Sequence, residues 1–135
     1  GYAKNLGMHF AIIDKRRYAP NKAEISHLIG NLEGLDVLII DDMIDTAGTI
    51  CNAAETAMNN GALSVIAVAT HPVLSGPAIE RLEKSSISKV IVCNTIELNE
   101  GKKFSKLQII NVSNVFGESI RRIVQGDSLS SMFNT

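Results

Sequence analysis

Short apolar runs rich in β-branched residues recur along this chain, each too short for a helix and each followed by a helix pattern or a polar turn. Phe10–Ile13, Val37–Ile40, Val65–Ala69, Val90–Cys93 and Leu107–Val112 have the unbroken apolar character of buried parallel strands. Parallel strands need long crossover connections, and the helices that would supply them are legible between the runs. After Thr49, residues Ile50, Ala53, Ala54, Ala57 and Met58 follow helical spacing and Gly61 supplies a stop. A second helix is expected from about Ser75-Gly76-Pro77, with Ser75 as a capping residue, to about Lys84, with Ile79 and Leu82 toward the sheet. A third, from about Ser113 to Gln125, gathers Phe116, Ile120, Ile123 and Val124 on one face, with Arg121 and Arg122 on another. Asn21–Gly34 is the least patterned stretch, with a short edge strand expected around Ile25–Ile29. Strand and helix therefore alternate. That order implies an α/β fold: an open, doubly wound parallel sheet of about five strands, covered on both faces, with ligands outside the C-terminal strand ends.

The 135 residues suit a single domain, 1–135, and with 45% apolar and 20% charged residues the chain has the balance of a globular protein. No uncharged apolar stretch approaches the roughly 18 residues needed to span a bilayer, and no signal-peptide layout opens the chain. A cytoplasmic protein without a membrane partner is expected. Thirteen Lys and Arg against 14 Asp and Glu give a formal charge of −1, which argues against nucleic acid as a partner. Cys51 and Cys93 lie far apart in apolar segments and read as reduced core thiols, so no structural zinc site is expected. Gly1–Leu6 reads as the middle of a helix, which leads to the expectation that the chain is a piece of a longer one.

Val37–Thr49 carries the chemistry: an apolar strand, the adjacent carboxylates Asp41 and Asp42, then the small-residue loop Asp45-Thr46-Ala47-Gly48-Thr49 opening a helix. A loop at a helix N-terminus presents backbone N–H groups where the dipole and the unpaired donors favour an anion. The hydroxyls of Thr46 and Thr49 add donors, and Gly48 lets the backbone approach a phosphate closely and adopt dihedrals that other residues resist. Two carboxylates accept hydrogen bonds from a vicinal diol and repel bare phosphate. Together the pieces describe a sugar phosphate, with Asp41 and Asp42 on ribose O2 and O3 and the loop on the 5-phosphate. Either piece alone is an ordinary structural device, an acidic strand end or an Asp-Thr helix cap.

These residues resemble the binding signature of the type I phosphoribosyltransferase fold. The Asp45-Thr46-Ala47-Gly48-Thr49 variant, where many members of that fold have Thr-Gly-Gly-Thr, is similar to the ribose-phosphate diphosphokinases, the phosphoribosyl-diphosphate synthetases. Ile12-Ile13-Asp14-Lys15-Arg16-Arg17 resembles the segment that carries that family's catalytic lysine and a second basic residue two positions later. Thr70–Ile79 is similar to another typical stretch, and Asp127–Phe133 looks like the family's C-terminus. The resemblance implies transfer of the diphosphoryl group of Mg²⁺-bound ATP to the anomeric hydroxyl of ribose 5-phosphate, with Lys15 and Arg17 as catalytic cations. It also implies a homo-oligomer, and a match of Ser128 and Ser130 to serines near an allosteric site. The family's ATP and magnesium residues belong mostly to a preceding half, so the chain is expected to be the C-terminal, ribose-phosphate half and inactive by itself.

His71 falls near the site, at a strand's C-terminal end, but stands without partners at metal spacing; His9 and His27 read as ordinary strand-region residues. No metal is assigned to the chain. Two other functions compete: a nucleobase phosphoribosyltransferase, which would need a base-binding hood that no segment supplies, and a non-catalytic synthetase-like subunit, expected to have lost the basic or the acidic pair. Lys15, Arg17, Asp41 and Asp42 are all present.

Overall fold

The structure, a computed structural model, describes residues 7–16 and 25–133. In chain order the elements are β1 (Ile12–Arg16), β2 (Ile25–Ile29), β3 (Asp36–Ile44), α1 (Gly48–Asn59), β4 (Ser64–Pro72), α2 (Ala78–Lys84), β5 (Lys89–Cys93), β6 (Leu107–Ile110) and α3 (Ser113–Gln125), with 3₁₀ turns at Glu100–Lys102 and Ser130–Met132. The expected Gly1–Leu6 helix lies outside the described residues.

Strands β3 to β6 form a parallel sheet in the order β3-β4-β5-β6. The sheet has four strands where about five were expected, because the first apolar run does not join it. That run is displaced to Ile12–Arg16 and pairs antiparallel with β2, with Ile12 opposite Ile29 and Lys15 opposite Ser26. The weak Ile25–Ile29 signal is thus a real strand, in a separate two-stranded sheet.

Register decides which residues meet the helices. Val37, Ile39 and Asp41 of β3 pair with Val65, Ala67 and Ala69 of β4, and Val90 and Val92 of β5 continue the same rows. Val65, Ala67, Val90 and Val92 are fully buried, under Ile50, Ala54 and Ala57 of α1 and Ala78 and Leu82 of α2. Strand order advances steadily in one direction, so right-handed crossovers place α1 and α2 on one face, where they touch each other. The alternate row, Leu38, Ile40, Ile66, Val68 and Ile91, therefore turns away from α1 and α2, and Ile40 is 41% exposed.

Local chemistry explains the element ends. Gly61, at φ 87°, turns the chain after α1, where a Cβ would lie 3.2 Å from the Glu33 Cα. Lys106 Nζ donates to the carbonyls of Leu82 and Ser85 at 3.0 and 2.9 Å, satisfying the C-terminal end of α2. β6 stops at Ile110, two residues before the expected end, because Asn94 and Asn111 accept the Val112 and Ser113 N–H groups at 2.9 Å and begin α3. The apolar stripe on α3 is present as the periodicity predicts, yet no α3 residue is buried: Ile120 is 61% and Val124 80% exposed. No helix among the described residues is long and apolar enough to cross a membrane.

The polar side of α3 holds the C-terminal segment. Glu118 accepts from Arg121 and Arg122, at 2.8 and 2.7 Å, and Arg122 Nη1 reaches on to the Ser128 carbonyl at 2.8 Å and Ser131 Oγ at 2.5 Å. Hydrogen bonds from these arginines hold the Glu118 carboxyl well below its ordinary 4.5, at about 2. A depressed carboxyl favours folding when ionised, so its contribution is complete above pH 4.5 and is lost as the pH falls toward 2. Carboxyl-carbon NMR should give Glu118 a midpoint near 2, and Ser128–Ser131 amide shifts should move with the same transition. In Glu118→Gln those amides should no longer respond in that window; a Glu118 midpoint near 4.5 would contradict the arginine clamp.

Candidate functional site

β3 runs to Ile44, so Asp41 and Asp42 lie within the strand rather than at its end. Neighbouring strand residues turn to opposite faces, and only a ligand lying across the strand's C-terminal end reaches both. Both carboxylates are exposed, and Asp41 Oδ1 accepts the Asp42 N–H at 2.8 Å. A cavity of about 200 Å³ is lined by Asp41, Asp42, Asp45, Thr46, Ala47, Gly48 and Thr49, together with Met43, Ile44 and Ile50. All seven residues assigned to ribose 5-phosphate from the sequence thus line one concavity.

The loop carries an unusual backbone. Ala47 sits at the N-cap of α1 in the left-handed region, φ 61°, and no side chain caps the helix. The first helical hydrogen bond runs from Cys51 N to Ala47 O, 3.1 Å, which leaves the N–H groups of Gly48, Thr49 and Ile50 without a protein acceptor among the described residues. Neither the Thr46 nor the Thr49 hydroxyl has a protein partner among those residues. The expectation for Gly48 is corrected: its φ is not positive, and the residue in the demanding conformation is Ala47. A Cβ at Gly48 would meet Arg81 Nη1 at 3.4 Å, on the side of α2.

Asp45 is anchored, not free. Ser75 Oγ donates to its carboxylate and Ser75 N to its carbonyl at 3.0 Å, while Leu74 N donates to Ile44 O at 3.0 Å. Ser75 is therefore not the cap of α2, which starts after Pro77 with no side-chain cap. Leu74 and Ser75 are the positions that motif reading missed. The signal was the Thr70–Ile79 stretch, but nothing in its spacing says that it folds back against a loop 30 residues earlier.

The remaining assigned residues are Lys15, Arg17, Ser128 and Ser130. Lys15 belongs to β1, opposite Ser26, and Arg17 lies outside the described residues. Ser128 and Ser130 come together through the 3.2 Å bond from Ser130 N to Ser128 Oγ, on α3's polar side, with no hydrogen bond to the cavity loop. His71 is paired in register with Met43, and its Nδ1 meets Thr95 Oγ1 at 2.8 Å, the hydrogen-bonded role expected of a lone histidine. Cys51 and Cys93 are free thiols; burial pushes Cys51 up from its ordinary value, which keeps it protonated and unreactive at neutral pH. No group of three or more potential metal ligands occurs among the described residues.

A four-stranded parallel sheet whose first strand carries two exposed carboxylates and leads into a helix with no side-chain cap defines an α/β protein. A family model described as phosphoribosyl synthetase-associated domain matches residues 11–134. Relatives named ribose-phosphate pyrophosphokinase include those of Aquifex aeolicus, 50% identical over 131 residues, and Corynebacterium ammoniagenes, 50% over 132 residues. The matches cover 97% and 98% of this chain and 42% of each relative, so the chain spans less than half their length. The crystal structure of phosphoribosylpyrophosphate synthetase from Mycobacterium smegmatis superposes with a TM-score of 0.85 at 35% identity, over 93% of this chain and 40% of that one. The chain belongs to the phosphoribosyl synthetase-associated domain family.

The left-handed Ala47 can be tested by comparing two buried alanines. Ala47→Gly loses a methyl worth about 0.8 kcal/mol but removes a left-handed penalty of roughly 1–2 kcal/mol, for a net change within about 1 kcal/mol of zero. Ala54→Gly, in the buried middle of α1, loses a methyl and about 1 kcal/mol of helix propensity with nothing in return, roughly 2 kcal/mol in all. Urea denaturation of both variants should reproduce that gap; equal losses would mean that Ala47 is not in the left-handed region.

Proposed function

We propose that this chain supplies the ribose-5-phosphate site of a ribose-phosphate diphosphokinase, forming its C-terminal half. The observation that supports this reading is the cavity where the uncapped start of α1 meets two exposed carboxylates. The free N–H groups and threonine hydroxyls of the loop bind the 5-phosphate dianion, where the helix dipole and donors are concentrated. Asp41 and Asp42 accept hydrogen bonds from ribose O2 and O3, with the ring lying across the strand end. They also keep the phosphate at the loop, since a phosphate on the carboxylates would meet like charge.

So held, the sugar offers its anomeric oxygen to the β-phosphorus of ATP. A bond forms between that oxygen and the β-phosphorus, the bridge from the β-phosphorus to the α-phosphate oxygen breaks, AMP leaves, and the hydroxyl proton passes to solvent. Lys15 and Arg17 are assigned to the charge that builds on the transferring and leaving oxygens. The names of the relatives favour making phosphoribosyl diphosphate over consuming it in nucleobase transfer. Magnesium is assigned to the nucleotide. With no group of three or more candidate metal ligands among the described residues, such an ion would be carried by the phosphates and water, where it would neutralise phosphate charge. A homo-oligomer belongs to the same reading.

Titration calorimetry on the 135-residue chain should detect ribose 5-phosphate, while the chain alone should form no AMP from ATP and ribose 5-phosphate. Absence of binding at millimolar sugar phosphate would refute the cavity assignment, and robust turnover would refute the half-enzyme reading. In the active full-length protein, Asp41→Asn or Asp42→Asn should raise KM for ribose 5-phosphate roughly 10- to 150-fold, the loss of a hydrogen bond to a charged group. Lys15→Ala should instead depress kcat with little change in that KM. Aspartate variants that bind the sugar phosphate normally and lose only ATP-dependent turnover would move both carboxylates from ribose to magnesium.

A further inference from the structure

Arg81 is not among the residues lining that cavity and sits midway along α2, yet its guanidinium is bound to the loop that forms it. Nη1 donates to the Thr46 carbonyl at 2.9 Å across 35 residues of sequence. It also occupies the space behind Gly48, where an added Cβ would lie 3.4 Å from Nη1 and meet no other atom beyond its local backbone. Arg81 completes a series: the carbonyl of Ile44 is held by Leu74 N, that of Asp45 by Ser75 N and that of Thr46 by Arg81. Three successive carbonyls are thus tied to the segment between β4 and the middle of α2.

Peptide planarity converts these ties into a statement about donors. In a trans peptide the C=O and the following N–H point in opposite directions, and the structure has no cis peptide among its described residues. Fixing the Thr46 carbonyl toward Arg81 therefore aims the Ala47 N–H away from Arg81, and Ala47 itself lines the cavity. A neighbouring amide could swing about this peptide were the carbonyl bonded only to water. The guanidinium is permanently charged and its fork is planar, so it holds the carbonyl with a charge-assisted bond and polarises the peptide toward a stronger N–H donor.

We infer that Arg81 is a positioning residue of the phosphate loop: through the Thr46 carbonyl it orients and strengthens the Ala47 N–H that meets a phosphate monoester. The inference rests on the ribose-5-phosphate reading of the cavity. Arg81 touches no ligand and takes no part in bond making. It acts on affinity for the phosphorylated sugar, and the sequence gives no hint of it, because a helix, a strand and a turn separate Arg81 from the loop.

Lys84 supplies the control. It stands one turn further along α2, carries the same charge, and pairs with Glu80 at 2.6 Å instead of with the loop. In the full-length protein, Arg81→Met should weaken binding of ribose 5-phosphate and of inorganic phosphate about tenfold, with KM for ribose 5-phosphate rising in step and kcat at saturation largely kept. The Ala47 amide, which should shift strongly when phosphate is added to the parent protein, should shift far less in the variant. Arg81→Lys should recover most of the affinity, since an ammonium can still donate to the Thr46 carbonyl, and Lys84→Met should change it by no more than about twofold. Arg81 is exposed, so the urea midpoint of each variant should stay near that of the parent. Equal affinity in the parent and Arg81→Met, or an equal loss in Lys84→Met, would overturn the inference and leave the cavity assignment standing. A parent protein that binds neither ribose 5-phosphate nor inorganic phosphate would overturn the cavity assignment and the role of Arg81 together.

Discussion

The parallel pairing of β3 with β4 is the interaction on which the rest of this molecule depends. It runs from Asp36 opposite Ser64 to Ile44 opposite Pro72. Backbone bonding then continues past the strands: Leu74 and Ser75 take the carbonyls of Ile44 and Asp45 as if the ladder went on. The candidate phosphate loop is thus an extension of the sheet's hydrogen bonding. A loop so tied spends its carbonyls on its neighbour and keeps its N–H groups for something else, which is what binding an anion through the main chain requires.

That arrangement has a conformational cost, and the sequence of the loop reflects it. The turn from strand to helix needs one residue in the left-handed region, and here it is Ala47, 5% exposed and part of the core cluster that also holds Ile44 and Ile50. An alanine there trades backbone ease for a buried methyl, two terms of about 1 kcal/mol that nearly cancel. This also accounts for the resemblance noted at the motif, where the commoner variant has glycine at the position of Ala47. At Gly48 the only neighbour an added Cβ would meet beyond its local backbone is Arg81 Nη1, at 3.4 Å.

The same topology sets what is left uncovered. Among the described residues α1 and α2 share one face, the alternate strand row turns to the other, and α3 carries an apolar stripe without a buried residue. The cavity lies at the C-terminal end of β3, lined by the loop that opens α1 and by the two carboxylates.

Strand and helix periodicities depend on local side-chain patterns, so the runs that became β3, β4, β5 and β6 and the helices α1, α2 and α3 could be read from the sequence by itself. The residues of the cavity could be read too, because Asp41 to Thr49 are contiguous and a strand-loop-helix unit needs no distant partner to bring them together. Three things awaited the tertiary structure. The Phe10–Ile13 run was assigned to the parallel sheet, but its neighbours in sequence place it in an antiparallel pair with β2, and pairing direction is not encoded in apolar periodicity. Ser75 had the look of a helix cap, and only the fold brings Asp45 to its hydroxyl. Arg81 was unremarked because a surface arginine in a helix has no local signature; its role comes from a carbonyl 35 residues earlier in the chain, and a contact of that separation exists only once the sheet has placed α2 beside the start of α1.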